Sequence, residues 1–193
     1  KIRTRKLSIG IVGLGYVGLP LACELARQGL RVVGVETDLD RARVISSGRS
    51  FIADVPSERL RRLVRRKRLQ VTSSSLVLGA CDVVVICVST PLNKLQDPDL
   101  SFIVQATHDI KRNLRRGQLI ILESTTYPGT TEEIVLRDLE RSGLRAGSDF
   151  FLCFSPERID PGNPKFHAGN IPKVVGGITP LCTKLGVAFY RLI

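Results

Sequence analysis

The chain contains no methionine and no tryptophan. It does not start with methionine, so it reads as trimmed at its start. Histidine occurs twice, at His108 and His167, and the five cysteines (Cys23, Cys81, Cys87, Cys153 and Cys182) include no Cys-x-x-Cys pair. So few ligands, so widely spaced, argue against a zinc site. Most of the thiols sit in apolar runs and read as buried and reduced. No apolar run approaches the roughly 20 residues that span a bilayer. The basic start, residues 1–6, is followed by no signal-peptide cleavage pattern. These absences lead to the expectation of a cytoplasmic protein with no membrane partner. Internal repeats and low-complexity segments are also missing.

What is present fits one soluble globular domain: 193 residues, of which 43% are hydrophobic. The charge is one-sided, with 29 lysines and arginines against 18 acids and a formal net charge of +11. Such a protein attracts anions, among them nucleic acid and nucleotide diphosphates. The densest stretch, residues 59–68, reads RLRRLVRRKR, with Leu60, Leu63 and Val64 at helical spacing. That describes a surface helix with a solvated basic face. No helix-turn-helix, zinc finger or RNA-binding aromatic motif accompanies it, so no specific nucleic-acid partner is expected.

Along the chain, short apolar runs alternate with helical patterns. Strands are predicted over residues 8–14, 31–35, 82–88, 118–122, 150–154 and 173–175. The run DVVVICV at 82–88, apolar on both faces, is the strongest strand signal. Helices are predicted over 19–28, 39–47 with Asp38 as cap, 56–67 with Pro56 in the first turn, 100–114 and 130–142. A last helix starts at Pro180 and reaches the chain end without a stop signal. It is expected to run on into a further helix and a second domain. Residues 155–172 read as loop. The alternation predicts a Rossmann-type, doubly wound α/β fold, a mostly parallel sheet with helices on both faces.

The first strand runs into Gly13-Leu14-Gly15-Tyr16-Val17-Gly18, a G-x-G-x-x-G pattern between a predicted strand and a predicted helix. Gly13 would permit the tight turn, Gly15 would let a pyrophosphate approach the backbone, and Gly18 would let helix and strand pack closely. The helix N-terminus would then face the phosphates. Glu36 ends the second strand 18 residues after Gly18 (36 − 18), close to the offset of the acid that bonds the adenosine ribose. A carboxylate there favours NAD over NADP. Asp38 is the competing acid, although its register suits a helix cap. Arg41 reads equally as a group over the adenine and as an ordinary surface arginine. Thr90, after the 82–88 strand, and Thr125, after the 118–122 strand, place hydroxyls at neighbouring strand ends, where ligands of open parallel sheets bind. Helix capping and turn formation are the competing readings, and they suit Thr130 and Thr131 better than Thr125.

Five segments, GLGYVGLPLA, STPLN, LESTTYPGTTEE, FSPERIDPGN and IPKVVGG, together resemble the UDP-glucose/GDP-mannose dehydrogenase family. They are most similar to its bacterial UDP-N-acetylglucosamine 6-dehydrogenase branch. The resemblance implies two successive oxidations at C6 of a UDP-sugar, through an aldehyde and a cysteine thioester, reducing two NAD. The product is a uronic acid for surface polysaccharide. It implies that Gly13, Gly15, Tyr16, Val17, Gly18, Glu36, Arg41, Thr90 and Thr125 surround NAD, and that Thr125 and Glu157 place or activate the hydrolytic water. Arg158 is implied as a candidate for recognising sugar or carboxylate, alongside Glu157. Without the motif, Glu157 and Arg158 would read as a surface ion pair of little value.

The family's nucleophilic cysteine lies in a glycine-rich motif that is absent here. Cys182, in GGITPLC, does not match that motif's spacing and reads as packing. This chain alone is therefore expected to bind NAD without turnover, and the complete protein to form a homodimer or higher oligomer. UDP-N-acetylmannosamine, UDP-N-acetylgalactosamine and UDP-glucose remain alternative substrates. A non-catalytic nucleotide-binding remnant is the alternative of a different class.

Overall fold

The apolar runs at residues 8–14 and 82–88 lie side by side at the centre of one sheet. The computed structural model describes residues 1–2, 4–92, 98–158 and 171–193. In it β1 (Ser8–Val12) pairs in parallel with β2 (Arg31–Val35) on one side and β4 (Val83–Ile86) on the other. Outward from β2 comes β3 (Leu69–Thr72). Outward from β4 come β5 (Leu119–Leu122) and β6 (Phe151–Phe154), all parallel. A two-residue strand, β7 (Gly176–Gly177), closes that edge antiparallel to β6. The order β3-β2-β1-β4-β5-β6-β7 reverses direction between β1 and β4. That reversal is the switch point beyond which doubly wound sheets take their ligands.

Every residue of β4 and β5 is buried, which requires cover on both faces. Alternation along the strands divides the core accordingly. Ile9, Ile11, Val83, Val85 and Ile121 pack against α1 (Gly18–Arg27), α3 (Ser57–Arg65) and α6 (Pro180–Tyr190). Val84, Ile86, Ile120 and Leu122 pack against α4 (Ser101–Lys111) and the helical segment that ends in α5 (Arg137–Glu140). Asp38 caps α2 (Leu39–Ser46), accepting from Asp40 N and Arg41 N at 3.0 Å each. No helix among the described residues is long and apolar enough to cross a membrane.

The basic run does form a helix, α3, with Leu60 fully buried and most of its arginines exposed. Arg59 departs from the solvated face. Its Nη2 lies 2.8 Å from the buried Glu24 of α1, joining the two helices. Burial opposes the Glu24 charge, but hydrogen bonds from Arg27, Gln28 and Arg59 outweigh it and hold the carboxyl at about 2.

Four segments differ from the sequence reading. The edge strand β3 was not expected, because four residues with Gln70 exposed carry little periodicity. A 3₁₀ turn, Ser75–Ala80, follows it. The predicted strand at 173–175 is displaced to Gly176–Gly177, because Lys173 is drawn into buried ion pairs instead of a ladder. The predicted helix at 130–142 is wound as a π-helix over Thr130–Leu136 before α5 begins. Of the predicted loop 155–172, residues 159–170 lie outside the described residues.

Candidate functional site

The glycine loop follows β1 at the switch point, and its three glycines answer three different constraints. Gly13 adopts φ +89°, and a Cβ there would lie 2.8 Å from the carbonyl oxygen of Cys87. Only glycine meets both conditions at low strain. A Cβ at Gly18 would run into the carbonyl oxygen of Gly13, so the first turn of α1 packs directly on the strand end. A Cβ at Gly15 would meet nothing within 4 Å. Gly15 therefore borders open space, as a pyrophosphate lying on the backbone requires. Above it α1 starts with no side-chain cap and no acid in its first turn, which leaves its positive end to an anion. Tyr16 is 64% exposed beside this space, and Val17 is half-buried.

Glu36 stands one residue beyond β2, only 5% exposed. One carboxylate oxygen accepts from Leu14 N and the other from Asp38 N, both at 3.1 Å. The side chain thus braces the glycine loop, and each oxygen keeps acceptor capacity for a ligand hydroxyl. Arg41 is exposed and donates to Asp38 through Nε at 3.2 Å. Thr90 follows β4 and is half-buried, whereas Thr125 follows β5 and is exposed. Ser124 ties these two strand ends together by donating to Val88 O at 2.8 Å. The hydroxyl of Thr130 is local, donating to Tyr127 O at 3.0 Å.

Glu157 is not the exposed half of a surface pair. Its side chain is 6% exposed, and one oxygen lies 2.7 Å from Lys173 Nζ. The same ammonium bonds Glu123, which is fully buried at the end of β5. Tyr190 of α6 donates its phenol proton to Glu123 at 2.7 Å, and Lys173 stands 5.5 Å over the Tyr190 ring. Burial pushes Glu123 up to about 7 against the pull of Lys173. In Glu157 burial works the same way but is outweighed by hydrogen bonds to Glu123 and Lys173, so its carboxyl sits below the usual range. The cluster can therefore keep a proton on Glu123 while Glu157 stays ionised. Arg158 is exposed, and its backbone N–H donates to Glu157 at 2.6 Å.

All five cysteines are free and buried. Cys182 has no exposure, its Sγ accepts from Thr179 Oγ1 at 3.1 Å, and its carbonyl accepts from Cys153 Sγ at 3.0 Å. Burial pushes the Cys153 thiol up to about 12 and the Cys23 thiol to about 11. These are packing groups, as the sequence indicated for Cys182. Among the described residues no three histidines, cysteines or acids converge on a metal position.

Residues 7–193 match the NAD binding domain of the UDP-glucose/GDP-mannose dehydrogenase family. The chain belongs to this family. It is 38% identical over 188 residues to a UDP-N-acetyl-D-glucosamine 6-dehydrogenase of Pseudomonas aeruginosa, covering 97% of this chain and 44% of that protein. Among solved structures, the UDP-D-ManNAc dehydrogenase of Pyrococcus horikoshii superposes with a TM-score of 0.90 at 35% identity, over 96% of this chain and 44% of its own. A GDP-mannose dehydrogenase ternary complex from Pseudomonas aeruginosa gives 0.86 at 30% identity, over 95% and 44%. The chain thus spans less than half the length of the relatives it matches. Proteins named for three different sugars thus match this one domain in sequence or in structure.

Sequence reasoning missed Glu123, Lys173 and Tyr190. The signal for Glu123 was available: an acid directly after the all-apolar LIIL, in a position with no water to solvate it. Lys173 and Tyr190 carried no such signal: Tyr190 meets Glu123 from α6 and Lys173 from the segment before β7, both far along the chain.

Proposed function

We propose that this protein is the cofactor-carrying part of an NAD-dependent UDP-sugar 6-dehydrogenase. The reaction is the oxidation of UDP-N-acetylglucosamine at C6 to the uronic acid, for surface polysaccharide. The observation that carries the cofactor half is the open space over Gly15, between the α1 terminus and the Glu36 carboxylate. The sugar is supported by the relative at 38% identity.

In this reading the backbone of Gly13, Gly15, Tyr16, Val17 and Gly18 holds the pyrophosphate. Glu36 accepts from the ribose hydroxyls, and its charge excludes a 2′-phosphate. Arg41 covers the adenine side, and Thr90 and Thr125 border the nicotinamide side. NAD, when bound, supplies the hydride acceptor for C6. Thr125 and Glu157 place the hydrolytic water. Glu157, kept ionised by Lys173, serves as a hydrogen-bond acceptor that orients the water more than as a strong base. Arg158, exposed next to it, faces the sugar. The buried state of all five cysteines supports placing the nucleophile, and with it much of the sugar pocket, outside these 193 residues. The complete enzyme is then a cytoplasmic homodimer or higher oligomer.

The test is NADH formation by the complete gene product with UDP-N-acetylglucosamine, UDP-N-acetylmannosamine, UDP-N-acetylgalactosamine and UDP-glucose in parallel. Turnover selective for UDP-N-acetylglucosamine supports the reading. Selectivity for another sugar corrects the substrate, and NAD binding without turnover on any of them contradicts the enzymatic assignment.

A further inference from the structure

A cavity of about 660 Å³ opens at the amino ends of β1 and β2, the end of the sheet opposite the glycine loop. Lys1, Arg5, Lys6, Arg31 and Arg68 line it, with Asp82 as the one acid. Asp82 is already engaged. It accepts from Lys1 Nζ at 2.6 Å, Ser8 N at 3.1 Å and Arg115 Nη2 at 3.1 Å, and Lys1 is paired in the same contact. Arg68 gives Nη1 to the carbonyl of Gly29 at 2.9 Å, past the end of α1, and keeps the rest of its guanidinium fork. Arg5, Lys6 and Arg31 enter no ion pair among the described residues.

The backbone brings these charges together. Val32 N donates to Arg68 O at 2.9 Å, so Arg31, the first residue of β2, and Arg68, directly ahead of β3, lie at neighbouring strand starts. Like charges placed side by side at strand starts repel. Ahead of β1 the chain turns back on itself, with Arg5 N donating to Ile2 O at 3.1 Å and Lys6 N to Lys1 O at 3.3 Å. Arg5 sits at φ 52°, a left-handed conformation uncommon for such a residue. The turn sets Arg5 and Lys6 on the cavity rim. Uncompensated cations converging on one concavity create a focused positive potential that an anion relieves.

We propose that this cavity is a second anion site, separate from the NAD crevice, that takes the diphosphate or triphosphate end of a nucleotide. Three unpaired cations and the free part of Arg68 match the charge of an oligophosphate, and guanidinium forks suit its oxygens. The volume lies in the range of small-molecule pockets. The lining offers Leu7 and Ala80 but no aromatic ring to stack a base, so recognition resides in the phosphates and is indifferent to the base. The cations surround a hollow and do not run along a face, which favours a compact anion over a nucleic-acid strand. The assignment does not depend on the dehydrogenase reading.

The experiment is calorimetric titration of tripolyphosphate, and separately of NAD, into the full chain at low salt. The variants are Lys6→Gln with Arg31→Gln, Arg31→Glu alone, and Gly15→Val, each checked for folding by circular dichroism. Both cations are exposed, so their replacement leaves the core intact. The site is supported if the cation variants weaken tripolyphosphate by about tenfold or more while NAD affinity stays unchanged. Gly15→Val should do the reverse. In the Gly15→Val background ADP and UDP should bind alike. Tripolyphosphate binding that follows Gly15→Val and ignores Lys6 and Arg31 overturns the proposal. So does the absence of saturable binding by the folded chain, or a strong preference between ADP and UDP.

Discussion

Glu36 accepts the backbone N–H of Leu14 at 3.1 Å, so the acid assigned to the ribose also holds the glycine loop in place. On the proposed reading, cofactor choice and loop geometry therefore rest on one side chain. Glu36→Ala should weaken NAD and narrow its preference over NADP. It should also destabilise the fold by about 1–3 kcal/mol, because the N–H groups of Leu14 and Asp38 lose their acceptor. Titration of both dinucleotides and a thermal melt measure the two effects separately. Unchanged affinities would remove Glu36 from the ribose contact.

Gly15 and Gly18, three residues apart in the loop (18 − 15), should fail differently. Gly15→Val adds bulk to open space, so the circular-dichroism spectrum should be retained and NAD binding lost. Gly18→Ala puts a methyl group against the carbonyl of Gly13, so it should lower the melting temperature as well as weaken binding. Equal stability of the two variants would show that the first turn of α1 adjusts freely.

The buried cluster gives a pH signature. Glu123 is raised in the folded chain to about 7, from an ordinary value of 4.5. A raised acid binds its proton more tightly when folded, so its contribution is fully present below the ordinary value and is lost as pH rises through the folded one. Lys173→Met removes the charge that opposes this loss and takes the ammonium away from the buried carboxylates of Glu123 and Glu157. It should destabilise by about 3–5 kcal/mol near neutral pH. The penalty should be smaller at about pH 5, where Glu123 is protonated, than at about pH 8. Denaturant melts of both proteins at the two pH values check this. A penalty independent of pH would mean that Glu123 does not titrate there.

Thr125→Ala should leave the melting temperature nearly unchanged, since Thr125 is an exposed residue at the strand end. In the complete enzyme it should lower kcat while UDP-sugar KM moves little, by the reading that it orients the hydrolytic water. Unaltered kcat would detach Thr125 from that role.

The central sheet and the cofactor loop were legible in the sequence because each depends on local pattern. Strand 31–35 was located to the residue, and Asp38 took the capping role that its register suggested. The constraints on Gly13 and Gly18 follow from a tight strand–turn–helix path, which a G-x-G-x-x-G spacing encodes directly. The Lys173 cluster was not legible, because three of its members come from separate strand ends and a helix far along the chain. Glu157 was singled out by its motif, but its burial against Lys173 depends on tertiary packing. The π-wound turn at Thr130–Leu136 and the displaced β7 likewise reflect long-range packing that overrides local propensity.

The most direct test is calorimetric titration of NAD, then NADP, into the folded chain. Saturable NAD binding, clearly tighter than NADP, is the result expected from the open Gly15 loop beside the Glu36 carboxylate. No binding by a folded sample, or tighter binding of NADP, would contradict the placement of the cofactor in this crevice.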